Sequence, residues 1–517
     1  MGPLTLHQSV ERYGHTVWRY HWETELLDTI LKPASAGVPT APALLGGEWV
    51  EDGPSAERVG PYVRHVVTKA RIVAPGDVET VAAFAPAAAK RVARLAPAAR
   101  AEILDTASRL STERRKDFAR LIALELGKPV KDGLGEMDRV ADTFAVCAAE
   151  ARQIGGDVLP VAGWRRGIGN MALTYRAPAG VALAITPFNA PANLLAHKLG
   201  ASFAAGNTTI VKAPPQAPAV SAGVVALLLE AGAPLEAVQL LHGGGEVGGA
   251  LCGLREVNVI SFTGSAETGS AVARAAGAKR LVLELGGNAA TIVCEDADIA
   301  AAAKVCARTG YTNSGQSCIS VQRVYVHQSR FQRFLDAFTA EVATLVVGDP
   351  LDPATDVGSM VDDAAAERTV AWAAEARKAG ADITIGGDRD GATVFPTVVA
   401  HPPADASVIT QEVFGALVSV MSYADFDEVL ARCNESRFGL QAGLFTRDLG
   451  RILTAWRELE VGGLVINGSS NFRLDHVPFG GMKDSGFGRE SPRMMIDDYT
   501  SVKTLLVRGI SIWGHEG

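Results

Sequence analysis

Gly180-Val-Ala-Leu-Ala-Ile185-Thr-Pro-Phe-Asn189-Ala-Pro191 runs from a short apolar segment into a proline-bounded turn. The apolar half reads as a strand, and an Ala-rich helical stretch follows the turn. The same unit recurs downstream. Thr209-Ile-Val211, Leu240-Leu-His242 and Val259-Ile-Ser-Phe262 are further short strands, each followed by a Gly- or Pro-rich turn and a helical stretch. Alternation of strand and helix predicts a parallel sheet of the dinucleotide-binding kind.

Upstream, residues 76 to 153 read mostly as helix, with apolar positions three and four apart through Val78–Phe84 and Ile103–Leu110. Downstream, a second alternating set contains Thr291-Ile-Val293, Arg323-Val-Tyr-Val326, Leu417–Met421 and Gly463-Leu-Val-Ile466. It predicts a second α/β domain over about 285 to 482. The last β-rich stretch, Val502–Val507, is expected to pair with another strand or another subunit. Residues 1–42 stand apart. They hold Trp18, Tyr20, His21 and Trp22, then a Pro/Ala/Gly stretch from Pro33 to Pro42. They read as a surface extension on a flexible linker, with an assembly or specificity element as the alternative.

The 517 residues exceed a single typical domain, so two or three are expected. The net charge of -8 offers no basic surface for nucleic acid. The longest apolar run, Val224–Leu229, stops at Glu230, short of a membrane span. The opening residues lack the pattern of a secretory signal. Six scattered cysteines form no CxxC pair, which points away from structural zinc and disulfides and toward reduced thiols in the cytoplasm. No metal is expected.

Three segments carry chemistry only when taken together. They are Thr186-Pro-Phe-Asn189-Ala-Pro191, Leu283-Glu284-Leu-Gly-Gly287-Asn288 and Asn313-Ser-Gly-Gln316-Ser-Cys318. Singly, each has a plain reading as a turn amide, a loop carboxylate and a small packed thiol. Jointly they supply a soft nucleophile, an oxyanion donor and a base, the set that aldehyde oxidation through a thioester requires beside a hydride acceptor.

With these residues in place, the chain resembles the aldehyde dehydrogenase superfamily from about Leu45-Gly-Gly-Glu-Trp-Val50 to about Val507. Further matches are Gly206-Asn207-Thr-Thr-Ile-Val-Lys212, Phe262-Thr-Gly-Ser265-Ala-Glu-Thr-Gly269, Glu412-Val-Phe414-Gly415, Phe438–Phe445 and Pro478–Glu490. The resemblance implies a Rossmann-like dinucleotide-binding domain (43–155 and 175–284), a catalytic α/β domain (285–482) and a small β oligomerisation element (156–174 and 483–517). It implies Cys318 as nucleophile, Asn189 with the Cys318 N–H as oxyanion hole, and Glu284 as general base. NAD or NADP is the implied cofactor. Lys212 would contact its adenosine ribose, Ser265 its pyrophosphate, Glu412 its nicotinamide ribose and Phe414 its nicotinamide. Thr186, Pro187, Phe188, Pro215, Gly245, Gly264 and Leu285 would line it. A homodimer or homotetramer is expected.

Two positions depart from the family pattern. Pro215 stands where NAD-preferring members carry Glu, three residues after Lys212, which removes a barrier to NADP. Ala416 stands where Pro is usual, and only local loosening is expected. The segment Asn467–His476 resembles the branch acting on small polar aldehydes of the lactaldehyde, glyceraldehyde-3-phosphate and phosphonoacetaldehyde type. Arg473, Ser470 and His476 are therefore candidate substrate residues, with pairing of Arg473 to Asp475 or a surface carboxylate as its plain reading. Ser317 stands where some phosphate-using relatives carry Arg. Cys147, Cys252, Cys294, Cys306 and Cys433 are expected to be packing residues, and His242 a turn residue, with a phosphate contact as its alternative. Coenzyme A-dependent acylation and a catalytically silent relative are the competing readings. The presence of Glu284 argues against the first and the complete triad against the second.

Overall fold

The computed structural model describes residues 9–12, 15–18, 21–31 and 38–510. Strand Val181–Ile185 is entirely buried within an eight-stranded sheet. Thr208–Ala213 and Val238–His242 follow on one side of it, Val259–Thr263 and Arg280–Glu284 on the other, all parallel. The chain thus builds outward through three strands and then crosses back over the first. At that reversal the connections leave in opposite directions and open a crevice at the strands' carboxyl ends. Thr186–Asn189 leave one side of this switch point, and Gly264 and Ser265 leave the other. Short antiparallel strands Ala43–Leu45, Glu48–Val50 and Gly486–Phe487 complete the sheet.

The predicted helical segment contains α2 (Asp77–Val92), α3 (Pro97–Glu113), α4 (Arg115–Leu126) and α5 (Val130–Ala151), preceded by α1 (His21–Leu31). Helix α5 turns Met137, Val140, Phe144, Cys147, Ala148 and Ala151 inward, a stripe at three- and four-residue spacing. It covers α6 (Pro191–Ala205), which with α7 (Pro218–Glu230) is apolar on nearly every face and buried accordingly. Two shorter helices, α8 (Gly245–Gly253) and α9 (Ala266–Ala276), flank the crevice.

The second sheet has seven strands in the order Asp382–Ile385, Thr397–Ala400, Leu417–Tyr423, Arg323–His327, Ala290–Val293, Gln441–Phe445, Gly463–Ile466. All four predicted strands lie in it, and only Asp382–Ile385 runs antiparallel to its neighbour. Thr500–Arg508 pairs along its whole length with Asn170–Pro178, which also pairs with Val158–Leu159. The Asn170–Pro178 strand runs unbroken through the expected division between residues 174 and 175.

The reading of residues 1–42 as a loose surface extension needs correction. Helix α1 packs on α7 and α4, burying Leu27 and Ile30 completely and Leu31 almost so. Arg114, at the junction of α3 and α4, pairs with Asp28 at 2.9 Å. Thr40–Ala41, within the expected linker, pairs with Val66–Arg71. Apolar residues spaced three and four apart on a short helix secured this docking. The side chains of Trp18, Tyr20, His21 and Trp22 lie outside the described residues.

Candidate active site

Cys318 sits on a loop whose backbone is forced into a sharp bend. Asn313, Ser314 and Gly315 have φ of 51°, 55° and 73°, three consecutive left-handed residues that favour glycine. A side chain at Gly315 would lie 2.0 Å from the Gly415 carbonyl oxygen. The bend is held from several sides. Asn313 N–H donates to Asp132 (2.9 Å), Ser314 Oγ to the Gly358 carbonyl (3.0 Å), and Gln316 Oε1 accepts from Val361 N–H (2.9 Å). Gly287 abuts the nucleophile so closely that a Cβ would stand 2.1 Å from the Cys318 carbonyl oxygen. Strain held in place by such surroundings is characteristic of positions where a side chain must be aimed.

Asn189 lies in the bend that follows the switch-point strand. Its side-chain amide donates to the Gln316 carbonyl (3.1 Å), while its own carbonyl accepts from Asn313 Nδ2 (3.0 Å) and Lys128 Nζ (3.2 Å). An amide nitrogen has two donors, so one remains beyond the Gln316 bond. Glu284 closes the Arg280–Glu284 strand and is 3% exposed, yet neither carboxylate oxygen has a hydrogen-bond partner. Burial, with the neighbouring Glu490 carboxylate, pushes its carboxyl well above the ordinary range. Burial and the Glu412 and Glu284 carboxylates likewise raise the Cys318 thiol to about 12.

Cys318, Asn189 and Glu284 line one end of a cavity of about 660 Å³, a volume suited to a small-molecule site. Its other end lies between α8 and α9. There Gly245 and Gly249 present bare backbone, with nothing within 4 Å of an added Cβ, and Cys252, Ala271, Val272 and Ala275 add a small apolar wall. Such a slot suits a flat ring. At the mouth of α9, Ser265 caps the helix by accepting from Thr268 N–H, and Gly264 precedes it, leaving the positive helix end toward the cavity. Lys212 lines the slot, its ammonium lowered to about 8 by burial, and Pro215 stands beside it. Glu412 accepts from Gly287 N–H at 2.8 Å, and burial raises its carboxyl to about 7. Phe414, with φ 46°, meets Phe188 edge to face at 5.9 Å. Pro187 and Leu285 also line the cavity. Thr186, between two lining residues, has a buried hydroxyl without a partner. An apolar slot, a lysine, a helix terminus and a carboxylate share this one cavity, a set that suits a nicotinamide dinucleotide.

The candidate substrate residues separate. Arg473 enters the cavity beside Cys318, with its guanidinium 4.2 Å over the Phe479 ring and bonded to Glu490 Oε1 at 3.1 Å. Ser470 does not reach it. Its side chain is buried and donates to the Ile319 carbonyl at 2.9 Å. His476 is exposed and away from the lining residues. His242 is not a turn residue. It ends a buried strand, bonds the Pro42 carbonyl at 3.0 Å, and burial lowers its imidazole to about 4. Five cysteines other than Cys318 are buried free thiols.

Several residues at the site were missed in the sequence. Lys198 and Glu490 are fully buried and paired at 2.8 Å, and Lys198 also donates to Thr263 Oγ1 at 2.7 Å. A signal existed. His197 and Lys198 are the only cationic-type residues of α6, on a helix apolar all round, and a buried charge demands a partner. Among the described residues no group of three or more His, Cys, Asp or Glu is placed to hold a metal ion, and no helix is long and apolar enough to cross a membrane.

Known proteins resemble this chain in sequence and fold. The model of the aldehyde dehydrogenase family matches residues 49–505. A 3-sulfolactaldehyde dehydrogenase of Priestia aryabhattai is 40% identical over 464 residues, covering 90% of this chain and 97% of the relative. Among solved structures, aldehyde dehydrogenase 21 of Physcomitrella patens, in complex with the product succinate, superposes with a TM-score of 0.87 at 32% identity. That match covers 92% of this chain and 99% of the other. A glyceraldehyde-3-phosphate dehydrogenase of Methanocaldococcus jannaschii complexed with NADP gives a TM-score of 0.85 at 31% identity, over 88% and 100% of the two chains. Shared sequence along nearly the whole chain, a shared fold and a thiol set beside a dinucleotide-shaped cavity lead to one conclusion: the chain belongs to the aldehyde dehydrogenase family.

Proposed function

We propose that this enzyme oxidises a small anionic aldehyde to its carboxylic acid by a hydrolytic route. Cys318 attacks the aldehyde carbon, and the thiol proton passes to solvent water as the C–S bond forms. Asn189 Nδ2 and the Cys318 backbone N–H donate to the developing oxyanion. Lys212, Ser265 and Glu412 would hold NAD or NADP, which when bound would accept the hydride from the aldehyde carbon. Collapse of the adduct leaves a thioester on Cys318. Glu284 then takes a proton from water as it adds to that carbonyl, and the C–S bond breaks to release the acid.

One observation carries this reading. A buried carboxyl with two unpartnered oxygens and a nucleophilic thiol open on the same cavity, which also receives the Arg473 guanidinium. An arginine meets a carboxylate, sulfonate or phosphate by two-point bonding. The named relatives for sulfolactaldehyde and sulfoacetaldehyde point the same way. The test compares sulfoacetaldehyde with propanal, each with NAD and NADP, with and without coenzyme A. The free acid should form regardless of coenzyme A, and sulfoacetaldehyde should be preferred. Arg473→Met should erase the preference mainly through KM, since the contact exists in ground and transition states alike. Equal activity on both aldehydes, unmoved by Arg473→Met, overturns the substrate assignment, and a requirement for coenzyme A overturns hydrolysis. We read the protein further as a cytoplasmic homodimer or homotetramer. The terminal strand Thr500–Arg508, at the edge of its sheet, exposes Val502, Leu505 and Leu506, and sedimentation velocity checks the assembly.

A further inference from the structure

Arg473 stands on an irregular loop, so something must hold a long cationic side chain in a buried place. The loop's own next-but-one residue is the centre of an unusual convergence. Asp475, 7% exposed, receives Arg139 of α5 in a two-point pair, Nη2 to Oδ1 at 2.7 Å and Nε to Oδ2 at 2.9 Å. From α6 come His197 Nε2 at 2.9 Å and Asn193 Nδ2 at 3.2 Å. Arg473 Nε lies 3.7 Å from the same oxygen. Asn193 is held in turn by Thr143 Oγ1 of α5 at 3.1 Å. One carboxylate thus ties the loop to two helices of the nucleotide-binding domain.

The donor and acceptor roles follow from chemistry. Burial keeps His197 neutral, so its ring has a single proton. Asp475 only accepts, and its carboxyl lies well below the usual range because the His197 and Arg139 bonds outweigh burial. The proton is therefore on Nε2 and directed at Asp475. Arg473 Nη2, 3.3 Å from that nitrogen, then meets a donor and gains nothing from it. Arg473 is left with Glu490, the Phe479 face and the nearby Asp475 charge. Of the cations Lys198, Arg139 and Arg473 that pair with Asp475 and Glu490, Arg473 alone lines the cavity, so it is the one an anionic substrate would meet.

We infer that Asp475 is a positioning residue for substrate charge: by clamping the 470–476 loop to α5 and α6 it aims Arg473 into the cavity and sets the preference for anionic aldehydes. This rests on the function proposed above. The readout is the ratio of kcat/KM for sulfoacetaldehyde to that for propanal, with NADP and NAD saturating. Asp475→Asn should lower the ratio at least tenfold, by raising KM for sulfoacetaldehyde, while a thermal melt confirms folding. In an Arg473→Met background the same change should no longer move the ratio. Arg139→Met, at a partly exposed side chain, removes one arm of the clamp and should shift the ratio in the same direction, which keeps the test decisive if Asp475→Asn fails to fold. A ratio unchanged in both variants, or lowered by Asp475→Asn as much in the Arg473→Met background as in wild type, overturns the inference. If Arg473→Met itself leaves the ratio unchanged, the substrate assignment fails instead.

Discussion

Replacing Glu284 by Gln keeps the side chain's shape in a buried site and removes only its capacity to take a proton. Glu284 is 3% exposed with both oxygens unpartnered, and a side chain at Gly480 would reach within 2.9 Å of one of them, so the pocket is fitted to this length. General-base catalysis contributes ~10²–10⁴-fold, which at 1.36 kcal/mol per decade is about 2.7–5.4 kcal/mol of barrier. The whole penalty should fall on thioester hydrolysis. Stopped-flow mixing should then show a burst of one reduced cofactor per site followed by slow turnover. Both kcat and KM should fall together while kcat/KM, which reports the steps through hydride transfer, stays close to wild type. The wild-type hydrolysis rate should decline as pH drops through the raised Glu284 carboxyl, above the ordinary range near 4.5, and the variant should lack that limb. Stability supplies an independent sign. Between the unfolded and the raised folded value the native chain holds the extra proton, so unfolding free energy falls as pH rises through that window. Gln has no such slope, and its melting temperature relative to wild type should climb as pH rises above the ordinary carboxylate range. A kcat equal to wild type would remove Glu284 from the mechanism, and a loss of kcat/KM as large as that of kcat, without a burst, would place its action before the thioester.

Four further outcomes are expected. Cys318→Ala should lower turnover by on the order of 10⁴-fold or more while cofactor binding, followed by fluorescence titration, persists; Cys306→Ala should cost about 1 kcal/mol of stability and little activity, since Cys306 is fully buried away from the cavity. Pro215→Glu should reduce kcat/KM with NADP relative to NAD by roughly tenfold, about 1.4 kcal/mol, from a carboxylate brought near the 2′-phosphate, and a wild type that shows no NADP binding would contradict this. Leu27→Ala or Ile30→Ala should destabilise by ~2–5 kcal/mol in urea titration, because both are fully buried where α1 meets α7, whereas a solvated extension would show no change.

Much of the architecture is legible in the sequence. Short apolar runs separated by Gly or Pro turns announced both parallel sheets because a strand buried on two faces needs no alternation, only apolar residues and a stop. Helix α1 was not legible. Its apolar residues are three and four apart, but the surrounding Pro, Ala and Gly gave the segment the composition of a linker. His242 misled for a similar reason, since three following glycines suggest a turn while the residue itself closes a buried strand.

The local sequence by itself determined which residue types were available and where strands end, because periodicity and turn chemistry act over a few neighbours. Cys318, Asn189 and Glu284 stood out only jointly, as the residue types that one reaction requires together. Which charges meet was decided only by the tertiary structure. Asp475 and Arg139 are 336 residues apart in the chain, and Glu490 and Lys198 are 292 apart. The cationic residues of α6 signal that a partner is needed but not which one, since what brings the partners together is the packing of α5 and α6 against the loops that carry Asp475 and Glu490. Burial then does the rest: a charge taken out of water must find its counter-charge, and only the folded chain specifies which one is within reach.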